Sequence, residues 1–171
     1  ENLLSPLLRN GPIAVVSLDP TASTSVSPNR TRYQCDQTPD CNPASAPLGT
    51  LVIRRKIVNN TGVTLTGLRA RIMGFTTLNS PGYTNTAQAD LRAISTADSN
   101  VTLADGSTVF VRGATLEQPP AQPVGGGYNS TMKIPLPAGG VPPGGTVNVQ
   151  FALGVHRSGT FQFFIITEAV P

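Results

Sequence analysis

From Leu51 onward the chain repeatedly alternates apolar and polar positions, the mark of strands with one face buried. Leu51, Ile53 and Ile57 alternate with Val52, Arg54 and Lys56. After the turn signal Asn59 to Gly62, Leu68, Ala70 and Ile72 alternate with Arg69 and Arg71. A third strand is expected over Asp90 to Ser95. Val101 to Leu103 and Thr108 to Val111 flank Asp105-Gly106, which predicts a tight hairpin with a primed turn. Met132 to Leu136 reads as a short strand. Val147, Val149, Phe151, Leu153 and Val155 form the cleanest alternation in the chain. Phe161, Phe163 and Ile165 close the series beside Phe164 and Ile166, a run apolar on both faces that predicts a central or covered strand. The intervening segments 118–128 and 137–145 are rich in Pro and Gly and read as loops. With about seven to nine strands and no sustained helical period, the pattern predicts an all-β, two-layer antiparallel β-sandwich of the Ig-like or jelly-roll kind.

Residues 1–48 read differently, as an extended N-terminal arm and linker ahead of a sandwich domain over residues 49–171. Ser5-Pro6-Leu7-Leu8 closed by Asn10-Gly11 has the caps of a single helical turn. Ile13, Ala14, Val15, Val16 and Leu18 are apolar on both faces, interrupted only by Ser17, so this strand wants cover on both sides. Residues 19–48 carry little periodicity.

Composition narrows the class. Charged residues make up only 12%, with 17 Gly and 16 Pro, and the body is rich in β-branched residues. Disordered chains carry more charge and fewer such residues, so a packed core is expected. The balance of 12 Lys and Arg against 9 Asp and Glu is only mildly basic. Its one run, Arg54-Arg55-Lys56, lies inside an expected strand and reads as a solvated basic face. Nucleic-acid binders cluster their cations more densely and add aromatics, so no nucleic-acid partner is expected. No apolar run reaches the roughly 20 residues of a membrane span. The chain opens on Glu1 and not on methionine, which fits removal of a leader or excision from a longer protein. Cys35 and Cys41 have neither the spacing of a redox pair nor enough partners for a zinc site, so a local disulfide is expected, which fits an extracellular or cell-surface location.

Candidate chemistry is sparse. The one histidine, His156, stands in Gly-Val-His-Arg-Ser-Gly and reads as a turn residue, not a general base. The carboxylates, Glu1, Glu117, Glu168, Asp19, Asp36, Asp40, Asp90, Asp98 and Asp105, fall mostly in turns and suggest no facing pair for glycoside hydrolysis. Asp36 and Asp40 form the only compact pair that could hold calcium, and they read first as an Asx-rich turn. The expectation is therefore a non-enzyme without cofactor or metal. Tyr83 and Tyr128 sit in Gly-rich loops as possible platforms for surface glycans. Asn29, Asn59, Asn100 and Asn129 open N-x-S/T sequons and are candidate glycosylation sites.

The stretch Leu51 to Ile72, with a strand ending in Asn-x-Thr-Gly and the next beginning Leu-x-x-Leu, resembles Ig-like modules of bacterial surface and secreted proteins. So does the run Pro142-Pro143-Gly144-Gly145 ahead of an alternating strand. The resemblance covers residues 49–171 and implies spacer, stalk, adhesin or assembly-subunit roles, with no shared catalytic residues to transfer. The arm resembles the donor strand of pilus-type filament subunits, which implies head-to-tail polymerisation with copies of itself by strand addition. Three roles follow as expectations: a filament or surface-assembly subunit, a non-polymerising adhesin or carbohydrate-binding module, and an accessory domain of an enzyme.

Overall fold

The computed structural model of the chain describes residues 8–9, 12–37, 41–76, 87–117 and 124–170. Among these there is no α-helix; two packed sheets make a β-sandwich, as the alternation predicted. The front sheet runs β1 (Leu8–Arg9), β12 (Phe163–Val170), β5 (Gly67–Phe75), β10 (Thr131–Lys133), β9 (Thr115–Leu116). The back sheet runs β2 (Ile13–Ser17), β4 (Thr50–Asn59), β11 (Thr146–Arg157), β8 (Thr108–Gly113), β7 (Ser99–Thr102). Two further strands extend it: β3 (Arg30–Tyr33) pairs with β4, and β6 (Asp90–Ile94) pairs with β11.

The core lies where the alternation placed it. Ile53 and Ile57 of β4, Leu68, Ala70 and Ile72 of β5, and Val149, Phe151 and Leu153 of β11 are all buried between the sheets. Phe151 is fully enclosed and meets Phe163 edge-to-face at 5.7 Å between ring centres, with Phe163 in turn meeting Phe75 at 5.5 Å. Burying a phenyl of this kind stabilises the fold by about 2 kcal/mol. Gly154 has no room for a side chain, because a Cβ there would lie 1.9 Å from the Ser45 carbonyl oxygen. The backbone of the cysteine loop therefore packs directly on β11.

The described strands of the segment read as an arm are part of the sandwich. Leu8–Arg9 pairs with the last strand in the front sheet, and Ile13–Ser17 pairs with β4 in the back sheet. Leu8 and Arg9 are thus extended where a helical turn was expected; the rest of that turn lies outside the described residues. Both β2 and β3 lie along the same free side of β4, end to end. The strand expected to need cover on both sides is instead an edge strand. Ile13 is buried, but Val15 and Val16 are 39% and 44% exposed. The last strand is likewise less enclosed than its double-sided apolar run predicted, with Phe164 61% exposed.

The outer face of the back sheet carries its own cover. The loop over residues 18–29 brings Leu18 against Val101 and Val111 of the β7–β8 hairpin, and Ala46 and Tyr33 pack against Val52, Ile94 and Ala152. The hairpin loop is longer than the two-residue primed turn predicted, since the last pair is Thr102 with Thr108. Asp105 accepts hydrogen bonds from the Ser107 N–H (2.9 Å) and hydroxyl (2.6 Å), and only Gly106, at φ 84°, takes a positive angle in this loop. An Asx turn replaces the expected geometry.

Candidate functional site

The basic run on β4 divides between two faces. Arg54 points to the outer face and is buried at 6% exposure. Its Nε donates to Gln150 Oε1 (3.1 Å), Nη1 to the Pro28 carbonyl and Thr31 Oγ1 (3.0 Å each), and Nη2 to the Tyr33 hydroxyl (3.1 Å). Gln150 donates onward to the Ala97 carbonyl at 2.8 Å and accepts from the Ser99 hydroxyl at 3.1 Å. Among the described residues the guanidinium is thus held by neutral acceptors, and the expectation of a solvated basic face is corrected at this position. Neighbouring strands and loops, which the local sequence does not reveal, supply every acceptor.

Arg55 points inward, to the gap between the sheets. There the sandwich is open among the described residues, beside a β12 that β1 pairs with only at its end. Val15, Ile53, Arg55 and Arg30 from the back sheet face Phe163 and Ile165 of β12 across a cavity of about 340 Å³. A second cavity of about 270 Å³ shares Arg30 and Phe161 with it and adds Arg32. Together they form one seam, apolar at its base and cationic at its rim. Arg30 stacks on Phe161 at 5.5 Å and donates to the Ser25 carbonyl. Burial first, and then the neighbouring Arg30 charge, lower the Arg55 pKa from its ordinary value. No carboxylate among the described residues forms an ion pair with Arg30, Arg32 or Arg55.

The other candidates scatter. Cys35 and Cys41 form a disulfide that closes the loop after β3. His156 is half-buried, its Nε2 3.1 Å from the Ser45 carbonyl oxygen, so it anchors the same loop to β11. Asp36 is exposed in a short 3-10 turn, Cys35–Gln37, while Asp40 lies outside the described residues. Tyr128 is 47% exposed in its loop; Tyr83 lies outside the described residues, so the two are not brought together here. Among the carboxylates, Asp90 pairs with Arg92, and Asp98 accepts the Gly113 N–H at 2.8 Å. Glu168 is buried on the front sheet between Arg69 (2.5 Å) and Arg71 (2.8 Å). Burial would raise its pKa, but the hydrogen bonds from Arg71 and Arg69 outweigh that and hold it below the usual carboxylate range.

Two sequons have a structural explanation. The Asn29 side chain is buried; it accepts the Asp19 N–H (2.8 Å) and donates to the carbonyls of Asp19, Ala22 and Ser23. Asn59 is buried, donates to the Val63 and Val141 carbonyls, and accepts from Thr61. A glycan on either would have to displace these bonds, which corrects both as surface acceptors. Asn100 and Asn129 are exposed. Asp19, Asn59 and Asp105 share one device: each accepts both the N–H and the hydroxyl of the Thr or Ser two residues on. At these three positions the Asx-x-Ser/Thr triplet marks a turn, whereas the same triplet at Asn100 lies within β7.

No known protein family, curated protein or solved structure matches the chain. What the residues define is an all-β sandwich with a local disulfide and a partly open side. No helix among the described residues is long and apolar enough to cross a membrane.

Proposed function

We propose that the chain is a structural subunit of an extracellular surface assembly, joined to further copies by exchange of its N-terminal arm. The observation that carries this reading is the placement of β2. It is an outermost strand whose whole ladder is made with β4, Ala14 lying opposite Val58. An identical ladder can be built by the arm of another copy, since strand addition uses the same backbone groups whichever chain supplies them. The local disulfide supports an oxidising compartment. No catalytic role is assigned.

Mixing two single variants, Ala14→Cys and Val58→Cys, tests the exchange. After co-refolding and mild oxidation, exchange gives covalent mixed dimers on a non-reducing gel. A double variant that closes its bond only within one chain, with no mixed dimer from the single variants, would sink the reading. A second reading, a glycan-binding adhesive module, is supported by the exposed ring of Tyr128. It expects saturable binding on a glycan panel that Tyr128→Ala abolishes; a panel without any binding removes it.

A further inference from the structure

We propose that the open seam beside β12 is a docking groove for an extended peptide segment of a partner protein, one whose inward-facing positions carry both apolar and acidic residues. This goes beyond arm exchange and does not depend on it. The backbone comes first. β5 pairs with β12 along its whole length on one side, but on the other side β1 reaches only Ala169 and Glu168. From Phe163 to Thr167 the second edge has no strand partner among the described residues. Every second residue of a strand directs its N–H and C=O to such an edge, where they can pair with an incoming chain. The segment Phe163 to Thr167 carries none of the charged residues or prolines by which unpaired edges are usually protected.

The side chains then select the occupant. A strand laid along this edge would close the cavity of about 340 Å³ that Val15, Phe161, Phe163 and Phe164 leave open. Its inward side chains would meet phenyl rings at the base, which favours apolar residues, and Arg30 and Arg55 at the rim. These two cations line the same cavity, the Arg30 charge adds to burial in lowering the Arg55 pKa, and neither has a carboxylate partner among the described residues. A carboxylate from the incoming strand would gain charge-assisted hydrogen bonds to both and relieve their repulsion. A lysine-bearing strand would add a like charge, so the groove discriminates as well as attracts. A second copy of this chain fits the rim poorly through this edge, because twofold pairing would bring the same arginines together.

The probe is a short, end-blocked, fluorescent peptide that repeats Val-Ser-Glu-Ser, so that valine and glutamate share one face of the strand, titrated with the full chain. We expect saturable polarisation that weakens at higher salt. Arg30→Gln and Arg55→Gln should each weaken binding by roughly tenfold, the loss of one charge-assisted contact. The same repeat with lysine in place of glutamate should not bind, and a backbone N-methylated form of the probe should lose binding because it cannot pair with the edge. Equal binding of the lysine peptide or of the N-methylated peptide would overturn the proposal. So would sedimentation showing this edge filled by a second copy that excludes the peptide. The peptide comparisons use the unaltered chain, so they decide the matter even if a variant fails to fold.

Discussion

Arg54 and Arg55 are consecutive residues of one strand, and they meet opposite fates. Arg54 is enclosed on the outer face of the back sheet, with Gln150, Thr31, Tyr33 and the Pro28 carbonyl filling its donor sites. Arg55 donates from Nη1 to the Arg54 carbonyl and otherwise borders an open seam. The difference teaches that burial here follows the elements outside the sheet pair. The outer face is covered by the loop over residues 18–29 and by Ala46 and Tyr33, whereas the inner edge lacks a full-length strand beside β12 among the described residues. A cation enclosed in the first setting is structural; one left at the rim in the second is available.

The largest expected effect breaks the closed side. Arg54→Ala removes a charged donor from four neutral acceptors and leaves Gln150 and Tyr33 to find new partners, so unfolding stability should fall by about 3 kcal/mol in urea titration. A loss below that of an ordinary surface change would show that the roof is not held through Arg54. Next, Asn29→Ala removes four hydrogen bonds that shape the roofing loop and should cost about 2 kcal/mol by the same measurement. Hydrogen exchange should then rise in the loop over residues 18–29 and in the β7–β8 hairpin while β5 stays protected.

A smaller, pH-dependent effect follows from the carboxylates. The pKa values of Glu168, Asp19 and Asp105 are all lowered in the fold, for Asp19 first by the Thr21 hydroxyl and then by the Ala104 N–H. The unfolded chain therefore binds more protons in acid. Their contribution is complete above the unfolded carboxylate value of about 4 and is lost as pH falls through the lower folded values. The urea midpoint should drop below about pH 4, and Glu168→Gln should flatten part of that slope. An unchanged slope in the variant would show that the Arg69 and Arg71 contacts do not stabilise the ionised form. The smallest effect belongs to the open side: Arg55→Ala should change stability by less than about 0.5 kcal/mol. A loss comparable to that of Arg54→Ala would erase the distinction between the two faces.

Much of the frame was legible because local pattern and burial agree. β5 alternates from Gly67 to Ile72 with its inward residues buried, and the inward residues of β11 are buried as its pattern predicted, although the outward Gln150 and Ala152 are covered as well. β3 was hidden because Arg30 and Arg32 stand at its inward positions, so the apolar signal of a strand is missing there. β2 read as double-sided, since Val15 and Val16 are apolar although the fold leaves both half open. The seam could not be read at all. It brings Val15, Arg30 and Arg55 together with Phe161 and Ile165 from the far end of the chain, and it lies where, among the described residues, a strand partner stops short. Local alternation carries no record of where a neighbouring strand ends.

The first two strands also have a mechanical consequence. Leu8 lies opposite Ala169 in an antiparallel pair, so the chain enters and leaves the front sheet at the same end. Tension applied through the chain on either side would load the hydrogen bonds between β1 and β12 one after another, as in opening a zip, and not all at once in shear. The arm should therefore release at low force, ahead of β4 and β11, whose nine-residue register is buried at the centre. A force–extension trace would record that release as a small early step, and the step would lengthen the unpaired edge of β12 while the core stayed folded.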